Sequence, residues 1–278
     1  MRGPGHVPPE LGRWLRRWTP DAARPWLRRL AVARFSASLG GGAAVGLRRA
    51  LGQVLTPPRG RVRFGDLRRT TPIACDFGYG RGGPVDRCYI EDFLERHSSD
   101  VRGRVLEVGD SSYTRRFGGD RVERADVLHV DAAAGTSFTG DIADPATLAH
   151  EVFDCIILTQ TLHLVFDFLS GLRNVRDALA PGGVLLLTVP GISNVDPHEW
   201  GQSWYYSFTD HALRRMVADL FDGFDVTLTS HGNVLAAVAF LHGLGVDELT
   251  AAERNHHEVE YSLIHALRVA KSVQVASA

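Results

Sequence analysis

One turn near the middle of the chain carries residue types that could bind a small ligand. The apolar run at residues 105–108 predicts a buried strand, and the turn at 109–119 follows it directly. A dinucleotide-binding turn needs two glycines beyond the first, so that the backbone can approach a pyrophosphate and the helix can pack closely. Here those places hold Ser111 and either Thr114 or Arg115. A pyrophosphate would therefore fit poorly.

A cofactor without a phosphate suits this turn better. S-adenosylmethionine needs one open glycine, backbone carbonyls and a carboxylate, and its own carboxylate is attracted to the positive start of a helix. The turn offers Gly109 between the acids Glu107 and Asp110. We therefore expect S-adenosylmethionine to bind here, at the start of the helix that follows.

Two further acids lie at the ends of predicted strands. Asp131 is 22 residues beyond Gly109, near the spacing of about 20 at which an acid accepts both hydroxyl hydrogens of a ribose. Asp141 offers a carboxylate for the adenine amino group, and Ile142 offers an apolar side chain for the adenine face. Asp131 alone would more simply be a solvated aspartate at a strand end. Together with the turn and Asp141, it indicates a binding site.

The elements that must position these residues alternate between strands and helices. Strands are predicted at residues 105–108, 127–130, 137–139, 155–159, 184–189, 225–229 and 261–269. Continuous apolar strands are typical of a parallel sheet that helices cover on both faces. The chain is therefore predicted to be α/β, with a doubly wound, mostly parallel seven-stranded sheet. The direction of the last strand stays open.

The carboxyl edge of such a sheet is where ligands bind. The fourth strand brings Gln160, Leu162 and His163 to this edge. A helix over residues 166–180, which Pro181-Gly182-Gly183 would stop, then leads to the fifth strand.

A helix that starts near residue 86 would cover the site from the other side. Asp86 is placed as its N-cap, and its apolar residues recur at helical spacing. Arg87 and Tyr89 would lie over the cofactor, where Arg87 could pair with the cofactor carboxylate. A purely structural arginine at a helix end is an equal alternative.

Five segments in order resemble the class I S-adenosylmethionine-dependent methyltransferases, in particular small-molecule enzymes of the broad type-11 group. They are VLEVGD, the acid Asp131, GDIAD at 140–144, FDCIILTQTLH at 153–163 and LAPGGVLLLTVPG at 179–191, within about residues 70–270. The resemblance implies a Rossmann-like methyltransferase fold. By position, it also implies cofactor contacts from Glu107, Gly109, Asp131, Asp141, Ile142 and Gln160. The departure from the family pattern is the turn with its reduced number of glycines.

Methyl transfer from a sulfonium depends mainly on alignment and on the exclusion of water. A hydroxyl acceptor also needs a base, and histidine suits neutral pH. His163, and His198 in the irregular segment 191–208, are the candidates, although His163 could equally be a structural histidine at the rim. No spacing in the chain indicates a metal site.

The segment 191–208 is also rich in aromatic residues. We predict that Trp200, Trp204, Tyr205 and Tyr206 form a wall for a small-molecule acceptor, or else pack the segment onto the domain. The predicted reaction methylates a hydroxyl, amine or carboxyl of the acceptor, with a sugar or secondary metabolite favoured. A protein that keeps the fold but has lost turnover, and acts as a scaffold, is the alternative.

The distribution of charge sets the first part of the chain apart. Residues 1–69 contain 15 arginines and three acids, although the whole chain carries a net charge of −1. We predict a basic, partly helical or disordered extension over 1–69 and a methyltransferase-like domain over 70–278. RNA methylation is a weaker alternative, because no RNA-recognition module is recognisable. Three cysteines without paired spacing, and no apolar run of about 20 residues, favour a cytoplasmic protein without a membrane span.

Overall fold

A computed structural model describes residues 57–132, 134–196 and 201–272 of the chain. The chain divides into two compact units, Met1–Arg68 and Arg69–Ala278. The first unit is described only from residue 57 onward, where Gly65–Leu67 forms a single 3-10 turn. Most of the predicted basic extension therefore lies outside the described residues, and its character stays a prediction.

The second unit is built on one seven-stranded sheet. Its strands are β1 (Gly103–Val108), β2 (Val122–His129), β3 (Phe138–Thr139), β4 (Phe153–Thr159), β5 (Leu179–Pro190), β6 (Asp225–His231) and β7 (Ile264–Ala270). They lie in the order β3-β2-β1-β4-β5-β7-β6. β7 runs in the direction opposite to the other six strands of this sheet. The predicted α/β class and the mostly parallel sheet are confirmed.

Helices cover both faces of the sheet because successive side chains of each buried strand point to opposite faces. The helices are α1 (Val85–Arg96), α2 (Phe168–Ala178), α3 (Asp210–Leu220), α4 (Val234–Leu241) and the short α5 (Ala251–Arg254). Leu106 and Ile156 pack in one core with α2 and α3. Their neighbours Val105 and Ile157 pack in a second core with α1 and α4.

Two predicted helix boundaries are wrong. Pro84 is the N-cap of α1, and Asp86 lies in the first turn, where its carboxylate accepts a hydrogen bond from the backbone N–H of Arg87 at 2.8 Å. Helix α2 ends at Ala178, because Leu179 already pairs with β4. The predicted stop signal at 181–183 therefore lies inside β5.

The connection between β1 and β2 contains only 13 residues, 109–121. A parallel crossover needs about a dozen, so little length is left for a helix. The chain forms a π-helical turn at Thr114–Gly118 and a 3-10 turn at Gly119–Arg121. The backbone N–H groups of Tyr113 and Thr114 donate to the Glu107 carboxylate at 3.2 and 2.7 Å, which fixes the start of the turn. Ser112 and Tyr113 are α-helical and run directly into this π-helical turn, so the predicted helix start is present, but the helical segment already ends at Gly118.

Asn233 joins α4 to the segment that contains α5. Its buried side chain accepts from two backbone N–H groups of α4 and donates to the carbonyls of Glu253 and His256 at 2.7 Å. We expect Asn233→Ala to lower the free energy of unfolding by about 2–4 kcal/mol, because it leaves buried donors and acceptors unpaired. Denaturant titration measures the loss. Thr209→Ala, which removes one exposed cap bond from α3, should cost about 1 kcal/mol. Equal losses for the two variants would contradict this account.

Candidate functional site

A cleft of about 1610 Å³ opens at the carboxyl ends of the parallel strands. Glu107 to Gly109 at β1, Thr159 and Gln160 at β4, and Pro190 at β5 line it. Small-molecule sites usually measure about 300–1,000 Å³. The cleft therefore has room for a cofactor together with an acceptor.

The turn after β1 presents an open backbone to this cleft. Gly109 has a φ of +97°, in the left-handed region that favours glycine, and no atom lies within 4 Å of the place where a Cβ would stand. On one side of it, burial raises the pKa of Glu107 despite the hydrogen bonds from the turn. On the other side, hydrogen bonding from Ser112 lowers the pKa of Asp110.

Helix α1 contributes a cation to the same wall. Arg87 Nη1 donates to the Tyr113 hydroxyl at 3.0 Å, and both side chains are half-buried and line the cleft. Arg116 is the other arginine on the lining, and it forms an ion pair with Glu91 at 2.9 Å. A hydrogen-bonded guanidinium beside the turn can bind a carboxylate, the role predicted for Arg87.

Two polar side chains after β4 lack hydrogen-bond partners among the described residues. Gln160 has a φ of +47°, an uncommon conformation for a residue with a side chain, and its buried Nε2 is unpartnered. His163 is 2% exposed, and its Nδ1 is also unpartnered. Burial lowers the pKa of His163 to about 4, so the imidazole is neutral at pH 7. Both residues line the cleft, where a ligand can supply the missing partners.

An aromatic wall stands next to His163. The ring centroid of Trp204 lies 4.4 Å from that of His163, and the backbone N–H of Tyr205 donates to the His163 carbonyl at 3.0 Å. Trp204 and Tyr205 line the cleft as predicted for an acceptor wall. Tyr206 lies outside the lining and supports the wall, because its hydroxyl donates to the Phe166 carbonyl at 2.8 Å.

Three predicted cofactor contacts are placed in the core instead. Tyr89 is buried, with its hydroxyl donating to the Arg254 carbonyl and its ring stacked on His231. Ile142 and Leu162 are also buried, in the core that α2 and α3 cover. None of the three lines the cleft, because Tyr89 on α1 and the apolar side chains of Ile142 and Leu162 after strand ends all turn toward the core.

The remaining predicted residues divide between the cleft and its surroundings. Asp141 lines the cleft, and its carboxylate accepts from the backbone N–H of Ala143 at 2.9 Å. Asp131 lies two residues beyond β2, with an exposed carboxylate; the preceding Val130 lines the cleft, and Asp131 itself does not. His198 and Trp200 lie outside the described residues.

Sequence reasoning missed Phe166, which lines the cleft. Tyr113 lies on the turn that the sequence predicted to bind the ligand, and it lines the cleft as well. Phe166 was assigned to α2, but Asp167 is the N-cap of that helix, and its side chain accepts from the N–H of Ser170. Recognising Asp167 as an N-cap would have placed Phe166 on the loop that lines the cleft.

Metal and membrane features are absent from the described part of the chain. It contains no group of three or more His, Cys, Asp or Glu residues placed to hold a metal ion. Nor has any helix there the length and hydropathy that crossing a membrane requires.

The sequence model of the methyltransferase domain family matches residues 55–225. This match covers more than half of the 278 residues, so the chain belongs to the methyltransferase domain family. Over 69 residues, or 24% of the chain, it is 38% identical to probable polyketide synthase 10 of Dictyostelium discoideum. The chain spans only 3% of the length of that protein.

Solved structures with a similar arrangement include an S-adenosylmethionine-dependent methyltransferase from Mesorhizobium loti. It is 14% identical, with 68% of this chain and 99% of that chain covered and a TM-score of 0.48. The N-methyltransferase NodS from Bradyrhizobium japonicum, in complex with S-adenosyl-L-homocysteine, is 15% identical. The match covers 72% of this chain and 94% of NodS, with a TM-score of 0.44.

Proposed function

We propose that the protein transfers a methyl group from S-adenosylmethionine to a hydroxyl, amine or carboxyl of a small molecule. The observation that carries this proposal is the turn after β1. Gly109 presents open backbone to the cleft between Glu107 and Asp110, at the carboxyl edge of the sheet. Open backbone and carboxylates are the groups that a cationic cofactor without a phosphate requires, and membership of the methyltransferase domain family supports the assignment.

The residues on the cleft wall fit such a cofactor. Gly109 and Asp110 would hold its amino-acid end, and Arg87 would bind its carboxylate. Asp141 and the unpartnered Nε2 of Gln160 offer an acceptor and a donor for its polar atoms. Glu107 acts by fixing the turn through its two backbone hydrogen bonds. When bound, S-adenosylmethionine supplies a methyl group on a positively charged sulfur that leaves readily.

The part of the cleft lined by His163, Trp204 and Tyr205 would hold the acceptor. His163 is neutral at pH 7 and can accept a hydrogen bond from the acceptor nucleophile. Trp204 and Tyr205 shield that position from water. Alignment and water exclusion are the main requirements of this displacement, so these side chains would be sufficient.

The short β1–β2 connection favours a second candidate, a scaffold that keeps the fold without turnover. The helical segment after Gly109 is short, Ser112–Gly118, and the N–H groups of Tyr113 and Thr114 already donate to Glu107, so little positive charge is left to attract the cofactor carboxylate. Calorimetric titration with S-adenosylmethionine and S-adenosylhomocysteine separates the two candidates. We expect micromolar binding, because Arg87 supplies the missing positive charge. Failure of both titrations would favour the scaffold.

We also propose that Asp131 contacts the ribose of the cofactor, since the preceding Val130 lines the cleft. Asp131→Ala should raise the Kd for S-adenosylmethionine about five- to tenfold, because the ribose hydroxyls lose a charged hydrogen-bond acceptor. Calorimetry measures the change. Asp144→Ala is the matched control, because Asp144 is exposed, follows the next strand and lies off the lining. An unchanged Kd for Asp131→Ala would remove Asp131 from the site.

A further inference from the structure

The wall of the cleft divides into two chemically different halves. Lining residues up to Asp141, here called the charged half, include seven carboxylates and two arginines. Lining residues from Thr159 to Tyr205, here called the aromatic half, include only one formally charged side chain, Asp196, among those that the structure describes. His163 belongs to the aromatic half and is neutral at pH 7. The charged half, together with Gln160, suits the cofactor, and the rest of the aromatic half is left for the acceptor.

Two rings of the aromatic half are held in place despite their exposure. Phe166 is 72% exposed and Tyr205 is 47% exposed, and their rings meet edge to face at 5.3 Å between centroids. The Tyr205 backbone is bonded to the His163 carbonyl, and the Phe166 carbonyl is bonded to the Tyr206 hydroxyl. Exposed apolar side chains on a fixed backbone at the mouth of a cleft mark a surface for a ligand.

His163 defines where a hydrogen-bonding group of that ligand must lie. Its Nδ1 is the one ring atom of the aromatic half that is buried and without a partner in the described residues. An uncharged imidazole nitrogen pairs with a hydroxyl. An anionic group placed here would lose its hydration without meeting a cation, and it would face the negative π-surface of the rings.

We propose that the acceptor is a neutral ring compound that carries hydroxyl groups. This inference rests on the proposed methyltransferase function. One face of the ring packs on Phe166 and Tyr205, and one hydroxyl lies at His163. The hydroxyl oxygen forms a bond to the methyl carbon as the carbon–sulfur bond breaks. The electron pair of that bond stays on sulfur, and the hydroxyl proton passes to His163.

Binding of a matched pair of probes tests the charge of the acceptor. Phenyl β-glucoside and phenyl β-glucuronide differ only in a hydroxymethyl group against a carboxylate. In calorimetry with S-adenosylhomocysteine present, we expect the glucoside to bind at least about tenfold more tightly. Equal or tighter binding of the glucuronide, or no binding of either probe, would overturn the proposal. Failure of S-adenosylhomocysteine itself to bind is a separate result, which counts against the proposed function.

Smaller probes show whether the ring of the acceptor is a sugar ring or an aromatic ring. Methyl β-glucoside carries only a sugar ring, and phenol carries only an aromatic ring. Binding of either supports the proposal, and the tighter of the two identifies the ring type. Benzylamine tests a cationic acceptor, since ammonium groups also bind aromatic faces. Binding of benzylamine more tightly than both neutral probes would overturn the proposal.

A substitution at the mouth of the cleft tests where the acceptor binds. Phe166→Ala should weaken the binding of phenyl β-glucoside about tenfold, because the ring of the probe loses the surface on which it packs. Leu169→Ala is the matched control, since Leu169 is exposed nearby in the chain but does not line the cleft. Both positions are exposed, so neither change should affect folding. Equal affinities in Phe166→Ala and the natural protein would place the acceptor elsewhere and overturn the proposal.

Discussion

Gly109→Ala should reduce the affinity for S-adenosylmethionine about a hundredfold, the largest effect that we expect on cofactor binding. Two physical terms combine at this position. Alanine at a φ of +97° costs about 1–3 kcal/mol of backbone strain. The added Cβ would also occupy the open space in front of the turn, where the backbone must approach the cofactor. Calorimetric titration of the variant measures the change in Kd.

Gly223→Ala separates these two terms. Gly223 lies between α3 and β6 with a φ of +79°, has no atom within 4 Å of its Cβ position, and is not on the cleft lining. Both variants should therefore lose similar unfolding free energy, as denaturant titration would show. Only Gly109→Ala should lose the cofactor. Normal cofactor binding by Gly109→Ala would show that the cofactor does not bind at this turn.

The fold could be predicted because the central strands β4 and β5 contain continuous apolar runs. Residues such as 155–159 can be buried only in a sheet covered on both faces, and the turn signals between runs fix their order. The connection after β1 could not be predicted in the same way. Whether 13 residues form a helix depends on the span they must bridge and on the Glu107 carboxylate, which binds the first N–H groups of the turn. Neither the span nor the hydrogen bonds of Glu107 can be read from the sequence pattern alone.

The sequence predicted which residues lie at the edge of the sheet better than it predicted where their side chains point. Gly109, Asp110 and His163 line the cleft because backbone topology carries the carboxyl ends of the parallel strands to one edge of the sheet. Ile142 and Leu162 also follow strand ends, but their side chains turn into the core. Side-chain direction after a strand is set by the local turn, which tertiary packing selects. The sequence therefore identified the edge of the sheet and only some of the side chains that line it.

His163→Phe should lower kcat about a hundredfold, within the range of about 10²–10⁴ that a positioned base contributes. Phenylalanine keeps a planar ring against Trp204 but cannot accept a proton or a hydrogen bond. The Kd for S-adenosylmethionine should change by less than about twofold, since we propose that the cofactor binds in the charged half. Rates are measured as transfer of a labelled methyl group to the hydroxylated ring probe that binds most tightly in calorimetry. His242→Phe is the matched control, because His242 also has an unpartnered Nδ1 and lies off the cleft lining.

The pH dependence distinguishes a base from a structural histidine. Burial lowers the pKa of His163 to about 4, so the neutral, proton-accepting form exists above that pH and kcat should fall as the pH drops through about 4. In the unfolded chain histidine titrates near 6.5. Between about pH 6.5 and 4 the unfolded chain therefore binds a proton that folded His163 does not, so the free energy of unfolding falls as the pH drops through this range. His163→Phe should flatten both profiles. If the stability profile flattens while kcat at neutral pH is unchanged, His163 is structural, and another group must take the proton.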